Sequence, residues 1–451
     1  YGALDYSLFD RYVLNVSFRT DGSNNFGSDE QFNPTWSAGA VWHVSEETFM
    51  EVVRPVLSRL SLRVATGYTG NINKTVKPNL MMKYYKNFRI SDDENYRMGY
   101  INNAPNPKLR WEKTRDVKVA LDFGLWKDRI NGIVEAYWRK SKDCVTSEYV
   151  PVTTGFFNQS YNTSVLQNNG VEFSLSVAVL KSKDYNLSVS ANVAWNQNKL
   201  KKYNSPNTSL ALDKYVGYPM GAVFSGKYEG IDPETGMYKF KLRPDAVTNK
   251  DGYLREPNNY YYYLGTSVAP FTGGFNLNFS YKNIGLSVGG SYSVKAKMVD
   301  NIESPAGYEL LSGSKLESIP TPHNDLYRNH LNVKREVRNR WTPENRTGVK
   351  YPRLIDAYGK KLGLDLTNPT LTTITRGALL EDISYLRINT IALSYSLPQR
   401  VLERINFSSA ALNLTLNNFF TITKYSGIDP EVPGATYPVS RSVTIGLNVG
   451  F

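Results

Sequence analysis

The chain has 451 residues, 13% of them aromatic with tyrosine at 32 positions, and carries 53 Lys+Arg against 41 Asp+Glu; its mean hydropathy is −0.41. No stretch approaches the ~20 consecutive apolar residues of a membrane-spanning helix, so a helical membrane protein is excluded. A transmembrane β-barrel is not, because its strands need apolar residues only at every second position. The net charge of +12 is spread along the chain. Its densest basic feature, Lys334-Arg335 with Arg338 and Arg340, is isolated, which argues against nucleic acid as a partner.

Period-two alternation dominates the chain and marks strands with two unlike faces. In chain order it runs through Tyr12 to Phe18, weakly through Trp36 to Val44, then Leu60 to Tyr68, Val117 to Leu125 and Val134 to Trp138. It is clearest in Val171 to Val179, where Val171, Phe173, Leu175, Val177 and Val179 alternate with Glu172, Ser174, Ser176 and Ala178. Leu187 to Trp195 repeats it after the short link Lys181 to Asp184, which predicts a hairpin. Phe275 to Tyr281, Leu286 to Val294, a weaker Ile391 to Leu397, Leu412 to Leu416 and Val443 to Phe451 complete about twelve strands. Met220 to Tyr228 and Met237 to Leu242 would raise the count to about fourteen if they form a further pair.

The second face is rich in Ser, Asn, Gly and Thr. The solvent face of a soluble sandwich more often carries Lys and Glu, and a wide lumen lined with small polar groups fits better. Aromatics at strand ends (Tyr12, Tyr68, Trp138, Tyr281, Tyr292, Tyr395) suit the two interfacial girdles of a membrane barrel. Short links (Lys127-Asp128, Lys181 to Asp184, Lys282 to Gly285, Pro398 to Ser408) alternate with long ones (Gly70 to Lys113, Ser141 to Asn168, Gln197 to Thr272, Ala296 to Ser384). That is the pattern of periplasmic turns and extracellular loops. Phe173, Leu175, Leu187, Val189, Phe275, Leu277, Leu412 and Leu414 are expected to face lipid, and Arg19, Glu172, Asn192 and Asn278 the lumen.

Catalytic signatures are missing. His43, His323 and His330 have no metal-ligand spacing. Cys144 is the single cysteine and has no histidine near it in sequence; neither a nucleophile elbow nor a phosphate-binding loop occurs. Gly289-Gly290 sits inside a strand pattern and predicts a bend or a close backbone approach. Asp92-Asp93 reads as a solvated loop. The sequons at Asn158, Asn207 and Asn278 follow from an Asn- and Ser-rich composition. Tyr260-Tyr261-Tyr262-Tyr263 is the most unusual local run; its flat faces and hydroxyls suit contact with a ligand or a protein partner, or plain loop packing.

Several stretches resemble the C-terminal portion of SusC/RagA-type TonB-dependent transporters of Bacteroidota. They include Arg11-Tyr-Val-Leu-Asn-Val-Ser-Phe-Arg-Thr-Asp-Gly-Ser-Asn-Asn-Phe-Gly27, Trp42 followed by Glu47 and Phe49, and Leu60-Ser-Leu-Arg-Val-Ala-Thr-Gly-Tyr-Thr-Gly-Asn71. Asn106-Pro-Lys-Leu-Arg-Trp-Glu-Lys-Thr114, Asn169-Gly-Val-Glu-Phe173, Gly230-Ile-Asp-Pro-Glu-Thr-Gly236, Arg340-Trp-Thr-Pro-Glu344 and Tyr385-Leu-Arg-Ile388 follow in order, with Tyr437-Pro and Arg441 leading to Phe451. The resemblance implies an all-β transmembrane antiparallel barrel, of which residues 1–451 supply about 12–14 of about 22 strands. The plug domain and earlier strands of the family are absent from the sequence, which opens on Tyr1 without a leader and reads as a mature or truncated chain.

The same resemblance implies import of oligosaccharides or oligopeptides with a SusD-like lipoprotein, energy from TonB–ExbB–ExbD, a bacterial outer-membrane location among lipid and lipopolysaccharide, no cofactor and no enzymatic activity. It also implies that the terminal aromatic, Phe451, acts as a barrel assembly signal. A structural barrel component of a secretion or assembly complex, and a soluble all-β glycan-binding or glycan-degrading protein, are the two alternatives. An upstream plug separates the first from transport, and detergent-free solubility separates the second.

Overall fold

The structure is a computed structural model that describes residues 1–72, 76, 81–84, 99–156, 158–203, 215–234, 236, 238–246, 259–299, 338–349, 376–404, 406–433 and 437–451. Thirteen strands form one antiparallel sheet in chain order. They are β1 (Gly2–Leu8), β2 (Tyr12–Gly22), β3 (Phe32–His43), β4 (Leu57–Asn71), β5 (Glu112–Leu125), β6 (Ile130–Tyr149), β7 (Asn158–Lys181), β8 (Tyr185–Lys202), β9 (Phe271–Tyr281), β10 (Ile284–Val294), β11 (Tyr385–Ser396), β12 (Ser409–Thr423) and β13 (Ser442–Gly450). β1 and β13 are the free edges of this sheet. No helix among the described residues is long and apolar enough to cross a membrane.

The register carries one face across the whole sheet. Trp42 lies opposite Leu62, Leu62 opposite Leu121, Leu121 opposite Val134, and Val134 opposite Phe173. The row continues through Val193, while Leu277, Val288, Ile391, Leu416 and Val443 form a parallel row farther along. All eight residues expected to face lipid lie on this apolar face, and Arg19, Glu172, Asn192 and Asn278 lie on the other. At the short-turn end, Tyr12 pairs with Trp42 and Tyr185 with Tyr281. Toward the other end, Phe18, Trp36 and Tyr68 stand on three adjacent strands, with Trp36 and Tyr68 ring centroids 5.8 Å apart. Two aromatic belts thus bound the apolar band, as an amphipathic ring prefers at a lipid–water boundary.

Three expectations about elements change. β1 adds a thirteenth strand: Gly2 to Leu8 pairs with Phe18 to Tyr12 across the short link Phe9 to Arg11. Met220 to Tyr228 and Met237 to Leu242 do not extend the wall. Ala222–Gly226 pairs with Tyr261–Thr266, and Tyr228–Ile231 with Tyr238–Phe240, as two small separate sheets. Ser141 to Asn168 is not a loop, since β6 and β7 run through it as one hairpin. At about 3.3 Å per residue, the 20 residues of β6 span roughly 65 Å. A hydrocarbon core of ~30 Å needs only about 9–11 residues of each strand, so the upper half of this hairpin projects beyond it.

The glycine pair behaves as expected. The register shifts between Gly289 and Gly290 where β10 meets β11, and the Phe275 ring lies over Gly290 so closely that a Cβ there would come within 2.3 Å of it. The link at 398–408 holds a short helix, α1 (Gln399–Arg404). His323, His330, Asp92-Asp93 and Asn207 lie outside the described residues. Asn158 opens β7, and Asn278 stands within β9.

Candidate functional site

The polar face divides into two chemically distinct walls. From β2 to β7 it is ionic. Arg63 bonds Asp122 at 2.6 Å, Lys118 bonds Glu135 at 3.2 Å, and Arg139 bonds Asp116 at 2.8 Å. Each pair is partly exposed, so its contribution to stability is of the order of 0–1 kcal/mol, and its larger effect is to fix side-chain positions on the wall. Glu172 faces Glu135 in register and adds an acid beside the Lys118 pair. From β8 to β13, away from Arg387 on β11, the rows are neutral: Asn192 and Gly274, Asn276 and Gly289, Asn278 and Ser287, Thr415 and Thr444, Asn417 and Ser442 are cross-strand neighbours.

The segments recognised in the sequence meet one another at the strand ends. The Asp21-Gly-Ser-Asn-Asn-Phe-Gly27 loop packs under the Asn106 to Glu112 strap. Phe26 stacks on Trp111 at 4.5 Å, the Gly27 amide donates to the Leu109 carbonyl at 2.9 Å, and Trp111 Nε1 donates to the Gln31 carbonyl at 3.2 Å. The strap is tied in turn to the β6–β7 hairpin: Asn162 Nδ2 donates to the carbonyls of Arg110 and Asp143, and Arg110 pairs with Asp143 at 2.7 Å. Trp341 Nε1 donates to the Pro233 carbonyl at 2.9 Å, joining the Arg340 to Glu344 segment to the Gly230 to Gly236 turn.

At the opposite end, Glu47 is nearly buried and accepts from Tyr12 Oη at 2.6 Å and Trp42 Nε1 at 3.0 Å, with Arg11 at 3.2 Å. The Tyr12 hydrogen bond first, then Trp42 and the Arg11 charge, hold its carboxyl below the usual range. This network locks two belt aromatics to the turn beneath them.

Gly27 leaves no room for a side chain, because a Cβ would stand 1.7 Å from the Pro107 carbonyl oxygen. Gly27→Ala is expected to part the loop from the strap at a cost of about 1–3 kcal/mol. Limited proteolysis within residues 23–31 should accelerate while the wall itself stays intact.

Arg387 on β11 is 2% exposed and sits between two acids of the 424–441 link, with Asp429 at 2.5 Å and Glu431 at 2.8 Å. Burial works to raise the Asp429 carboxyl. The backbone N–H groups of Glu431 and Val439 and the Arg387 guanidinium outweigh it, so the carboxyl is held below its ordinary 3.8.

Two cavities lie at the long-loop end, on either side of Met220-Gly221. One, of about 740 Å³, lies between the polar face of β5 to β8 and the segment from Tyr215 to Val223; its apolar lining is Val145, Leu166, Leu200, Met220, Ala222 and Val223, joined by Tyr203 and Tyr215. The other, of about 460 Å³, holds Asn168, Gln197, Tyr218 and Tyr263.

The four-tyrosine run separates at this point. Tyr260 precedes the small strand Tyr261–Thr266, Tyr262 Oη donates to the Leu242 carbonyl at 2.9 Å, and Tyr261 is half-buried. Tyr263 is the exposed member and reaches the second cavity, its ring 4.9 Å from Tyr218 and 5.7 Å from Phe224. Cys144 lines the first cavity instead. Sequence reasoning missed that cavity because its walls come from strands far apart in the chain. Phe451 is 91% exposed and packs edge-on against Phe407 at 5.1 Å.

Residues 1–311 match the family model described as TonB dependent receptor-like, beta-barrel. The chain belongs to this family. It is accordingly an outer-membrane protein, and the apolar face with its two belts is the lipid face, the polar face the lumen wall. It is 27% identical to the TonB-dependent receptor SusC of Bacteroides thetaiotaomicron and 26% identical to the TonB-dependent receptor P26 of Formosa agariphila, over the whole of this chain and 43% and 46% of those proteins. The RagAB peptide transporter structure superposes on all of this chain and 47% of its own with a TM-score of 0.78 at 25% identity. This member of the SusC-like receptors therefore spans about half the length of the relatives it matches.

Proposed function

We propose that the receptor carrying this chain imports oligosaccharides or oligopeptides across the outer membrane, with a SusD-like lipoprotein over its mouth and energy from TonB–ExbB–ExbD, and that it performs no catalysis. The observation that carries this reading is the superposition of this chain on a peptide importer with a TM-score of 0.78, combined with 27% identity to SusC. The physical arrangement agrees: a neutral amide and hydroxyl wall offers weak, reversible hydrogen bonds to a passing polar chain, while the clasped loops hold cavities at the entrance. Within that receptor, residues 1–451 form the later part of one barrel domain, and Tyr260 to Tyr263 supply ligand or partner contact chiefly through Tyr263. A secretion or assembly role has no specific observation in its favour.

Uptake of labelled oligosaccharide and oligopeptide mixtures by intact cells, with and without TonB and the adjacent lipoprotein, tests the reading. Accumulation that disappears in both deletion strains is expected; accumulation unchanged by loss of TonB would overturn it.

A further inference from the structure

Resting on that import reading, we infer that the 740 Å³ cavity between β5–β8 and the Tyr215 to Val223 segment binds an apolar side chain of a peptide substrate, and so selects peptides over glycans. Its size falls within the range of about 300–1,000 Å³ typical of small-molecule sites, and its chemistry decides the occupant. The polar groups along the wall are already engaged with one another. Glu112 accepts from Asn71 Nδ2 at 2.7 Å and from the Val145 amide at 2.9 Å; Thr114 and Ser141 share a hydrogen bond of 2.8 Å; Thr146 and Thr163 share one of 2.6 Å; Ser267 Oγ donates to the Gly221 carbonyl.

Ser164 is the exception. It is 3% exposed, lines the cavity, and its Oγ has no hydrogen-bond partner among the described residues. A sugar ring brings several hydroxyls, each needing a partner; Tyr203 and Tyr215 are the cavity's remaining hydroxyl-bearing lining, and most sugar hydroxyls would be left unpaired against Leu166, Leu200, Val145 and Val223. A leucine or phenylalanine side chain loses nothing there and is taken out of water. Burial of one such side chain corresponds to about tenfold or more in affinity.

The test uses the intact receptor with its lipoprotein partner in detergent, titrated with three probes: a Gly/Ser/Asn hexapeptide, the same peptide with one central leucine, and a neutral linear hexasaccharide. The leucine peptide is expected to bind at least tenfold tighter than the all-polar one. Ala222→Trp, which fills the cavity from the loop side, should erase that difference. Leu166→Phe, which fills it from the wall, should do the same, and heat-modifiability of both variants confirms that the wall is formed. Equal binding of the two peptides, or a gap between them that both fillers leave unchanged, overturns the inference. So does hexasaccharide binding that both fillers abolish. Because that last result would come with TonB-dependent glycan uptake intact, failure of the cavity assignment is distinguishable from failure of the import reading.

Discussion

Replacing Arg387 by alanine is expected to free the 424–441 link from the barrel wall. The guanidinium is 2% exposed and bridges Asp429 and Glu431. Its removal leaves a buried carboxylate without its cation, a class of change that costs about 3–5 kcal/mol. If the link opens locally, amide exchange within it should quicken by roughly 100-fold or more, since each ~1.4 kcal/mol is a factor of ten. Protease should then cut there on intact cells, with strand protection elsewhere unchanged. Arg387→Lys keeps the charge but loses the fork that spans both acids, and an intermediate effect is expected.

The pH dependence of this clasp has a defined sign. Asp429 is a carboxyl depressed below 3.8 in the folded link. Its contribution is therefore fully present above that ordinary value and lost as pH falls through the lower folded value. Exchange in the link, taken relative to the intrinsic rate at each pH, should be flat from neutrality down to about pH 4 and rise only below it. A rise centred near pH 6 would assign the clasp to another group.

The second large effect concerns closure. All neighbours in the thirteen-strand sheet are antiparallel, so β1 and β13 run in the same direction. They cannot complete an antiparallel barrel by pairing with each other; an odd number of further strands must stand between them. Within lipid, each unsatisfied backbone group costs several kcal/mol, and a free edge exposes roughly half of a strand's N–H and C=O groups. Residues 1–451 expressed alone are expected to yield no heat-modifiable species, while co-expression with the remaining strands of the receptor restores it. A closed, heat-modifiable barrel from these residues alone would refute the argument. In the intact receptor, Phe451→Ser should lower the amount inserted, because the exposed terminal ring at the edge of the last strand is then lost. Unchanged membrane levels would remove Phe451 from any assembly role.

Sequence alone determined the wall. Side chains on a strand alternate with period two, so Val171 to Val179 and Leu187 to Trp195 state locally which residues face lipid and which face the lumen. The unequal links state which end of the wall carries the loops. β1 is the exception: Leu4, Tyr6 and Leu8 alternate with Ala3, Asp5 and Ser7, but the run is only seven residues long at the edge of the sheet, and so short a run is a weak signal by itself. The Ser141 to Asn168 hairpin has no strand signature in sequence because, once a strand leaves the membrane, nothing requires one of its faces to be apolar. Met220 to Tyr228 shows the reverse error: alternation also occurs in small sheets that never join the wall.

The site was the part only the tertiary structure decided. The recognised segments announced themselves in sequence, but not that Phe26 stacks on Trp111, that Trp341 reaches Pro233, or that Arg387 holds Asp429. Those contacts join positions tens to more than a hundred residues apart, and no local period encodes them. The same holds for the cavity that places Leu166, Leu200 and Ala222 around Ser164: its chemistry follows from which polar groups pair with each other across strands, and pairing is a property of the folded register.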